Sequence, residues 1–222
     1  MENTLVGQLE KVLPDGMTLP NELKLLYKWI EDNNFYIDNK DGFRYGFLFP
    51  EQHLKKSWTD NQRDGGTIIM FLAEGVVNLK YWFGGEDNVE VNRRLCVFAQ
   101  SGAEGSISAL WLSDSEQIKV VHMGSGSGSL LTCVLADNFI DFLRLLAIGY
   151  DEICWDENFP FPPNENNDDL IVKPNIRFQN WVQQTFDVKI PRTALEIVKY
   201  PTSMDDKSSE DEFFNWCKNY WK

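Results

Sequence analysis

The sequence is poor in the side chains on which metal centres and many catalytic sites depend. It holds two histidines and four cysteines in 222 residues. The cysteines (Cys96, Cys133, Cys154 and Cys217) are widely separated and form no Cys-x-x-Cys pair. Because zinc sites need clustered Cys and His, we expect no metal centre and no cofactor. Three of these cysteines lie among apolar residues, which predicts free, buried thiols in a reducing compartment.

Basic side chains are also scarce. The chain has 21 Lys and Arg against 34 Asp and Glu, a formal net charge of −13. The only basic doublets are Lys55-Lys56 and Arg93-Arg94. Nucleic acids and anionic lipids bind through Lys and Arg, so this charge argues against both as partners. A basic protein partner fits the charge, although the need for solubility explains an acidic surplus equally well.

Long apolar runs are missing too. No run approaches the ~20 residues that a membrane span needs. The opening "MENTLVGQLEKVL" mixes polar, charged and apolar residues, unlike a signal peptide. We therefore expect a cytoplasmic protein. Hydrophobic residues make up 43% of the chain, with eight Trp and fifteen Phe, which is enough for a sizeable core.

The periodicity of apolar residues changes along the chain. Helical spacing in "LPNELKLLYKWIEDNN" predicts a helix, and a shorter helix is expected around Leu5 to Leu13. Five short apolar runs between Gly-rich or acidic turns then predict an antiparallel meander. They are "GTIIMFLA", "VVNLKYWF", "RLCVFAQ", "SISALWL" and "QIKVVHM". The segment "ADNFIDFLRLLAIGY" predicts a helix that Asp137 or Asn138 caps and Gly149 ends.

Helices at both ends of a run of strands favour an α+β fold: a twisted, mainly antiparallel sheet with helices packed against it. A proline-rich, acidic tract follows at "NFPFPPNENNDDLIVKPN". We therefore divide the chain into a domain at 1–157 and a loop and helical extension at 158–222. The extension is too short for its own core; it contains two helical patterns, "FQNWVQQTF" and "RTALEIV", and ends in an aromatic segment, "EFFNWCKNYW". It is expected to pack on the same domain through its aromatic residues, namely Trp181, Phe186, Phe213, Trp216 and Trp221.

A run of alternating glycine and serine, Gly124 to Ser129, raises the question of a catalytic or phosphate-binding loop. A Walker loop needs a Gly-Lys-Ser/Thr ending, but no lysine lies between Lys119 and Lys173. No window matches the Gly-x-Ser-x-Gly of a nucleophile elbow. The run is therefore interpreted as a tight corner between the last strand and the helix beginning near Phe139.

A Ser-His-acid triad would have to use His53 or His122. His122 ends a predicted strand, where a structural histidine is the common outcome. An enzyme would most plausibly combine His122 with Glu104 or Ser125. No catalytic signature supports this, so we expect a non-catalytic protein.

The segment "GYDEICWDENF" combines four carboxylates with large aromatic side chains. It is either an ordinary solvated loop with Trp155 turned inward or a contact surface for a basic protein. Aromatic anchors with an acidic rim suit the second interpretation. Its candidate partner-binding residues are Asp151, Glu152, Trp155, Asp156 and Glu157.

Several segments together resemble one superfamily. They are "LPNELKLLYKWI", "HLKKSW", "RLCVFAQSGAEGSISALWL", "IKVVHMGSGSGSLLTCVLADNFIDFLRLLAIGYDEICWDE" and "IPRTALEIVKYP". In hydrophobic pattern and glycine placement the chain is similar to the SUKH superfamily, whose name derives in part from a fungal cell-wall-synthesis regulator. The likeness is to a bacterial branch with a C-terminal extension.

The resemblance implies an α+β domain without known catalysis. Bacterial members are commonly immunity proteins that neutralise toxins, often nucleases or deaminases. The chain is therefore expected to bind a basic toxin domain directly. The alternative is a housekeeping adaptor or regulator that acts in cell-wall or signalling processes through protein contacts.

Overall fold

The computed structural model describes residues 4–53, 62–166 and 170–221. Residues 54–58 of the quoted segment "HLKKSW" lie outside them. In chain order the helices are α1 (Leu5–Glu10), α2 (Asn21–Asp32), α3 (Val89–Arg94), α4 (Phe139–Ile148), α5 (Ile176–Phe186) and α6 (Glu212–Cys217). The strands are β1 (Tyr36–Asp38), β2 (Arg44–Gly46), β3 (Gln62–Arg63), β4 (Met70–Gly75), β5 (Leu95–Gln100), β6 (Ile107–Leu112), β7 (Ile118–Met123), β8 (Thr132–Ala136) and β9 (Ile171–Val172).

One antiparallel sheet of seven strands organises the molecule, in the order β1-β2-β4-β5-β6-β7-β8. The short strands β3 and β9 form a separate parallel pair. The predicted α+β fold is confirmed. No helix among the described residues has the length and apolar character needed to cross a bilayer.

The central strands of the sheet are buried on both faces. In β5, Cys96 and Phe98 enter one hydrophobic core, whereas Leu95 and Val97 enter a second core on the opposite face. A strand covered on both sides has no solvent face to fill with polar residues. This is why "LCVFA" is continuously apolar instead of alternating.

Helices cover the first face of the sheet. Phe142 of α4 meets Phe98 edge-on with ring centroids 5.6 Å apart, and Tyr27 of α2 meets Phe71 of β4 at 5.9 Å. Both helices form where periodicity predicts them. As predicted, α4 begins at its Asn138 cap, whose side chain accepts the Asp141 N–H at 2.9 Å, and ends at Gly149 in the left-handed conformation (φ 97°).

The C-terminal extension covers the second face. Trp111 of β6 packs against Phe213 and Trp216, with ring centroids 5.2 and 5.7 Å away. The Arg94 guanidinium lies 5.3 Å from the Trp216 ring centroid. Trp221 also packs against this second core, whereas Trp181 and Phe186 pack against the first.

The extension also covers the edge of the sheet at β8. The Thr132 N–H donates to the Thr202 carbonyl at 2.7 Å, and the Met204 N–H donates to the Leu130 carbonyl at 2.8 Å. The Val134 N–H donates to the Asp211 carboxylate at 2.9 Å. An open edge presents unpaired backbone groups that recruit other strands, so these bonds protect β8 from association.

Two secondary-structure predictions are wrong, and one hairpin is missed. The segment "VVNLKYWF" is no strand; it contains a 3-10 turn at Leu79–Tyr81. Leu79 and Phe83, four residues apart, both enter the second core, and that is helical spacing. The pattern "RTALEIV" forms only a 3-10 turn at Ala194–Glu196. The hairpin of β1 and β2 was not predicted, because its three-residue strands are too short for a periodic signal.

The predicted position of the glycine-serine corner is also wrong. The run connects β7 to a further strand, β8, and not to α4. The strand lies in the apolar segment "LLTCVLA", which directly follows the run. The run is still a turn, since Gly126 has a φ of 76°.

A pH-dependent contribution to stability is expected from Asp211. Burial raises its pKa to about 6, against the opposing effect of N–H donors from Phe214, Val134 and Phe213. The folded state therefore holds this proton more tightly than the unfolded chain does. The resulting stabilisation is complete below the ordinary pKa of 3.8 and is lost as the pH rises through about 6.

Asp211→Asn removes this titration. The free energy of unfolding of the wild type should decrease from about pH 4 to pH 7.5 as Asp211 loses its proton. The decrease in Asp211→Asn should be smaller by about 1–3 kcal/mol, as measured by urea unfolding. The exposed neighbour Glu210 provides the control, because Glu210→Gln makes the same charge change outside the core. Equal pH dependence in wild type and Asp211→Asn would contradict the prediction.

Candidate partner-binding surface

Two loops leave the same end of the sheet, because Gln100 pairs with Ile107 and Met123 pairs with Thr132. They are residues 101–106, between β5 and β6, and residues 124–131, between β7 and β8. A third loop, residues 150–159, follows α4 and contacts both. These three loops are called the loop end below.

Glu152 joins two parts of the loop end. Its buried carboxylate accepts the Ala103 N–H at 2.6 Å and the Trp155 indole N–H at 2.9 Å. A further bond attaches the glycine-serine loop, where the Ser129 hydroxyl donates to the Cys154 carbonyl at 2.6 Å. The three loops are therefore joined to one another by buried and partly buried hydrogen bonds.

The Glu104 side chain packs against two glycines, Gly102 and Gly128, where a larger residue would collide with it. A Cβ at Gly128 would lie 2.3 Å from Glu104 Cγ, and one at Gly102 would lie 2.0 Å from Glu104 Oε2. The Ser106 hydroxyl donates to the Glu104 carboxylate and accepts the Ser125 N–H, the latter at 3.2 Å. Glu104 thus connects two glycine-containing turns. Sequence reasoning missed this role because Gly102 and Gly128 meet only in the folded chain.

Three of the five predicted partner-binding residues lie toward solvent. Asp156 and Glu157 are exposed on a 3-10 turn, Asp156–Asn158. Trp155 lies beside them and is half-buried, with its indole N–H bound to Glu152. The ring of Trp155, and not its polar atom, is therefore what remains for a partner.

The other two predicted residues are engaged by groups of the protein itself. Glu152 is buried, as described above. Asp151 forms an ion pair with Arg63, whose side chain is 2% exposed. Arg63 also donates to the Gly66 carbonyl at 3.0 Å and to the Asp151 carbonyl at 3.1 Å.

Burial raises the pKa of Asp151, although the neighbouring guanidinium of Arg63 opposes that rise. Burial likewise lowers the pKa of Arg63. Removing Asp151 would leave the buried Arg63 guanidinium without a compensating charge, so this pair supports the loop.

The loop end carries charge of one sign. Residues 101–106, 124–131 and 150–159 contain five carboxylates and no lysine or arginine. Two of these carboxylates, Asp156 and Glu157, are exposed. Asp151 is paired with Arg63, so the negative potential that a partner meets at this end comes mainly from Asp156 and Glu157.

His122 is not placed for the chemistry of a triad. It is 0% exposed, and its Nδ1 lies 2.8 Å from the Leu131 carbonyl oxygen. Burial lowers its pKa to about 4, so the ring is neutral at pH 7. Its Nε2 has no hydrogen-bond partner among the described residues. The hydrogen bond that would couple it to Ser125 or Glu104 is therefore not formed.

The four cysteines are free and buried. Burial raises the pKa of Cys96 to about 12 and that of Cys133 well above its ordinary value, which disfavours reactive thiolates at neutral pH. Within the described ranges, no group of three His, Cys, Asp or Glu residues could hold a metal ion.

No family model, curated protein or solved structure matches the chain. The likeness to the SUKH superfamily therefore remains a prediction, and function must be inferred from the geometry of the loop end.

Glu152→Ala should loosen the loop end. It leaves the N–H groups of Ala103 and Trp155 without their acceptor, which should lower the free energy of unfolding by about 1–3 kcal/mol. Hydrogen exchange of residues 101–106 should accelerate. Glu157→Ala, which removes an exposed carboxylate of the same loop, should change neither measurement. Unaltered exchange in Glu152→Ala would show that these bonds do not hold the loops.

Gly128→Ala should destabilise the protein by about 1–3 kcal/mol, because the new methyl group collides with Glu104. In a Glu104→Ala background the 2.3 Å collision with Cγ is removed and only the 3.0 Å approach to Cβ remains, so the same substitution should then cost less. Urea unfolding of the four proteins in this double-mutant cycle measures the coupling. Additive effects of the two substitutions would contradict the proposed contact.

Proposed function

We propose that the chain is a non-catalytic protein-binding module that acts as a cytosolic immunity protein and neutralises a basic toxin by direct contact. One observation carries the proposal. Asp156 and Glu157 are exposed beside the half-buried ring of Trp155, on loops that contain no basic side chain. The resemblance to the SUKH superfamily supports the same function.

The acidic residues suit a toxin that acts on nucleic acid. A nuclease or deaminase binds the phosphates of its substrate with lysine and arginine. An inhibitor that presents carboxylates to these side chains blocks the substrate and also accelerates its own association by electrostatic attraction. Trp155 supplies the apolar contact that typically contributes much of the binding energy in such interfaces.

The internal contacts of the loop end favour binding as well. Glu152 and the Asp151–Arg63 pair hold the loop before any partner arrives. A surface that is already ordered loses less conformational entropy when it binds. In this proposal Asp151 and Glu152 position the contact surface, whereas Trp155, Asp156 and Glu157 touch the partner.

The test is co-expression with a panel of basic nuclease and deaminase toxin domains. The wild type should protect cells against at least one of them. Asp156→Asn/Glu157→Gln should slow association about ten-fold or more at low salt, because steering depends on charge. Rising salt should reduce the association rate of the wild type more than that of the variant.

The matched control is Asp15→Asn/Asp41→Asn, which removes two exposed carboxylates elsewhere in the chain. It changes the net charge equally and should retain the wild-type rate. If both variants slowed association equally, net charge and not the loop end would be responsible. Failure to protect against any toxin, combined with a growth or envelope defect on deletion, would favour the adaptor function instead.

A further inference from the structure

Two shallow grooves flank the neighbouring side chains of Tyr81 and Trp82. The first has a volume of about 280 Å³ and is lined, besides these two, by Gly124, Ser125, Gly126, Met204 and Trp221. The second, of about 370 Å³, is lined by Glu74, Asn78, Gln100, Gly105 and Ile107 with the same aromatic pair. Both grooves reach the loop end, through Ser125 and Gly105 respectively.

Two of the three aromatic rings that line the grooves, Trp82 and Trp221, are held by contacts within the protein. The Trp82 indole N–H donates to the Gly124 carbonyl at 2.7 Å. Trp221 packs edge-on against buried Phe214, with ring centroids 5.6 Å apart. Tyr81 follows the buried Leu79 in the 3-10 turn and is 70% exposed. Trp82 and Trp221 are thus held by contacts within the protein, the Tyr81 ring is open to solvent, and all three present π systems to a ligand.

The charge around these rings favours a cation. Among the described residues that line the two grooves, Glu74 is the one charged side chain. The adjacent loop end contains no basic residue, and the chain carries a net charge of −13. Tyr81 already attracts a cation of its own chain, since Lys80 Nζ lies 5.5 Å from the ring centroid.

We propose that these grooves bind arginine side chains of the partner protein. The inference rests on the proposed function and extends the binding surface from the loop end to Tyr81, Trp82 and Trp221. Arginine is favoured because its planar, weakly hydrated guanidinium stacks on aromatic faces. Each groove is near the lower limit of roughly 300 Å³ for ligand pockets, which suits one long side chain and not a helix.

The probe is an acetylated and amidated Gly-Ser-Arg-Ser-Gly peptide, titrated into the full chain with ¹⁵N-labelled tryptophan. Its matched control replaces arginine by citrulline, which has nearly the same shape without the charge. The indole N–H signals of Trp82 and Trp221 should shift with the arginine peptide and much less with citrulline. Those of the buried Trp111 and Trp216 should stay in place.

Tyr81→Ala should weaken binding of the arginine peptide about five-fold, and Tyr81→Phe, which keeps the ring, should bind as the wild type does. Lys80→Ala should bind more tightly, because it removes the competing cation from the Tyr81 ring. Phe43→Ala removes another exposed aromatic side chain, in the turn between β1 and β2, and should have no effect.

Equal shifts with arginine and citrulline, or unchanged affinity in Tyr81→Ala, would overturn the inference. The titration requires no toxin, so its result is independent of the protection test. Absent indole shifts together with protection that depends on Asp156 and Glu157 would refute arginine binding in the grooves and retain the proposed function. Arginine-specific shifts without protection would retain arginine binding and count against the proposed function.

Discussion

The burial of the sheet on both faces is the constraint on which the rest of the structure depends. Helices cover one face, and the second face would expose Trp111 and its neighbours if the C-terminal extension did not pack there. The same extension covers the β8 edge through Thr202 and Asp211. The described residues of segment 158–222 are therefore part of the core and not an appendage, and they also reach the loop end, where the Met204 N–H donates to the Leu130 carbonyl.

The loop end combines rigidity with charge. Buried carboxylates and hydroxyls join its three loops, and exposed carboxylates stand on the turn that these bonds hold. The division follows from solvation: a carboxylate can be buried where N–H donors or a guanidinium compensate it, and it stays in water where no donor is available. Glu152 and Asp151 belong to the first class, and Asp156 and Glu157 to the second. The grooves beside Tyr81 and Trp82 continue the same surface with aromatic walls.

Much of the fold was predictable because its signals are local. The period of α2 and α4, the Asn138 cap and the left-handed Gly149 depend on residues within a few positions of one another. The strand assignments failed where a short buried turn resembles a strand in composition, as at Leu79. The sequence identifies the acidic loop as a candidate surface but does not reveal that Glu152 turns inward, because neighbouring carboxylates differ only once their hydrogen-bond donors are in place.

By itself, the sequence determined the α+β class, the acidic surplus, the lack of basic residues in the loops and the main helices, since these follow from composition and short-range spacing. Only the tertiary structure decided which carboxylates face solvent, why Gly102 and Gly128 must be small, and that Tyr81, Trp82 and Trp221 line one surface. These facts depend on contacts between residues far apart in the chain, such as Ala103 with Glu152 and Gly124 with Trp82. No local pattern encodes such contacts, because their partners are chosen by the packing of the whole sheet.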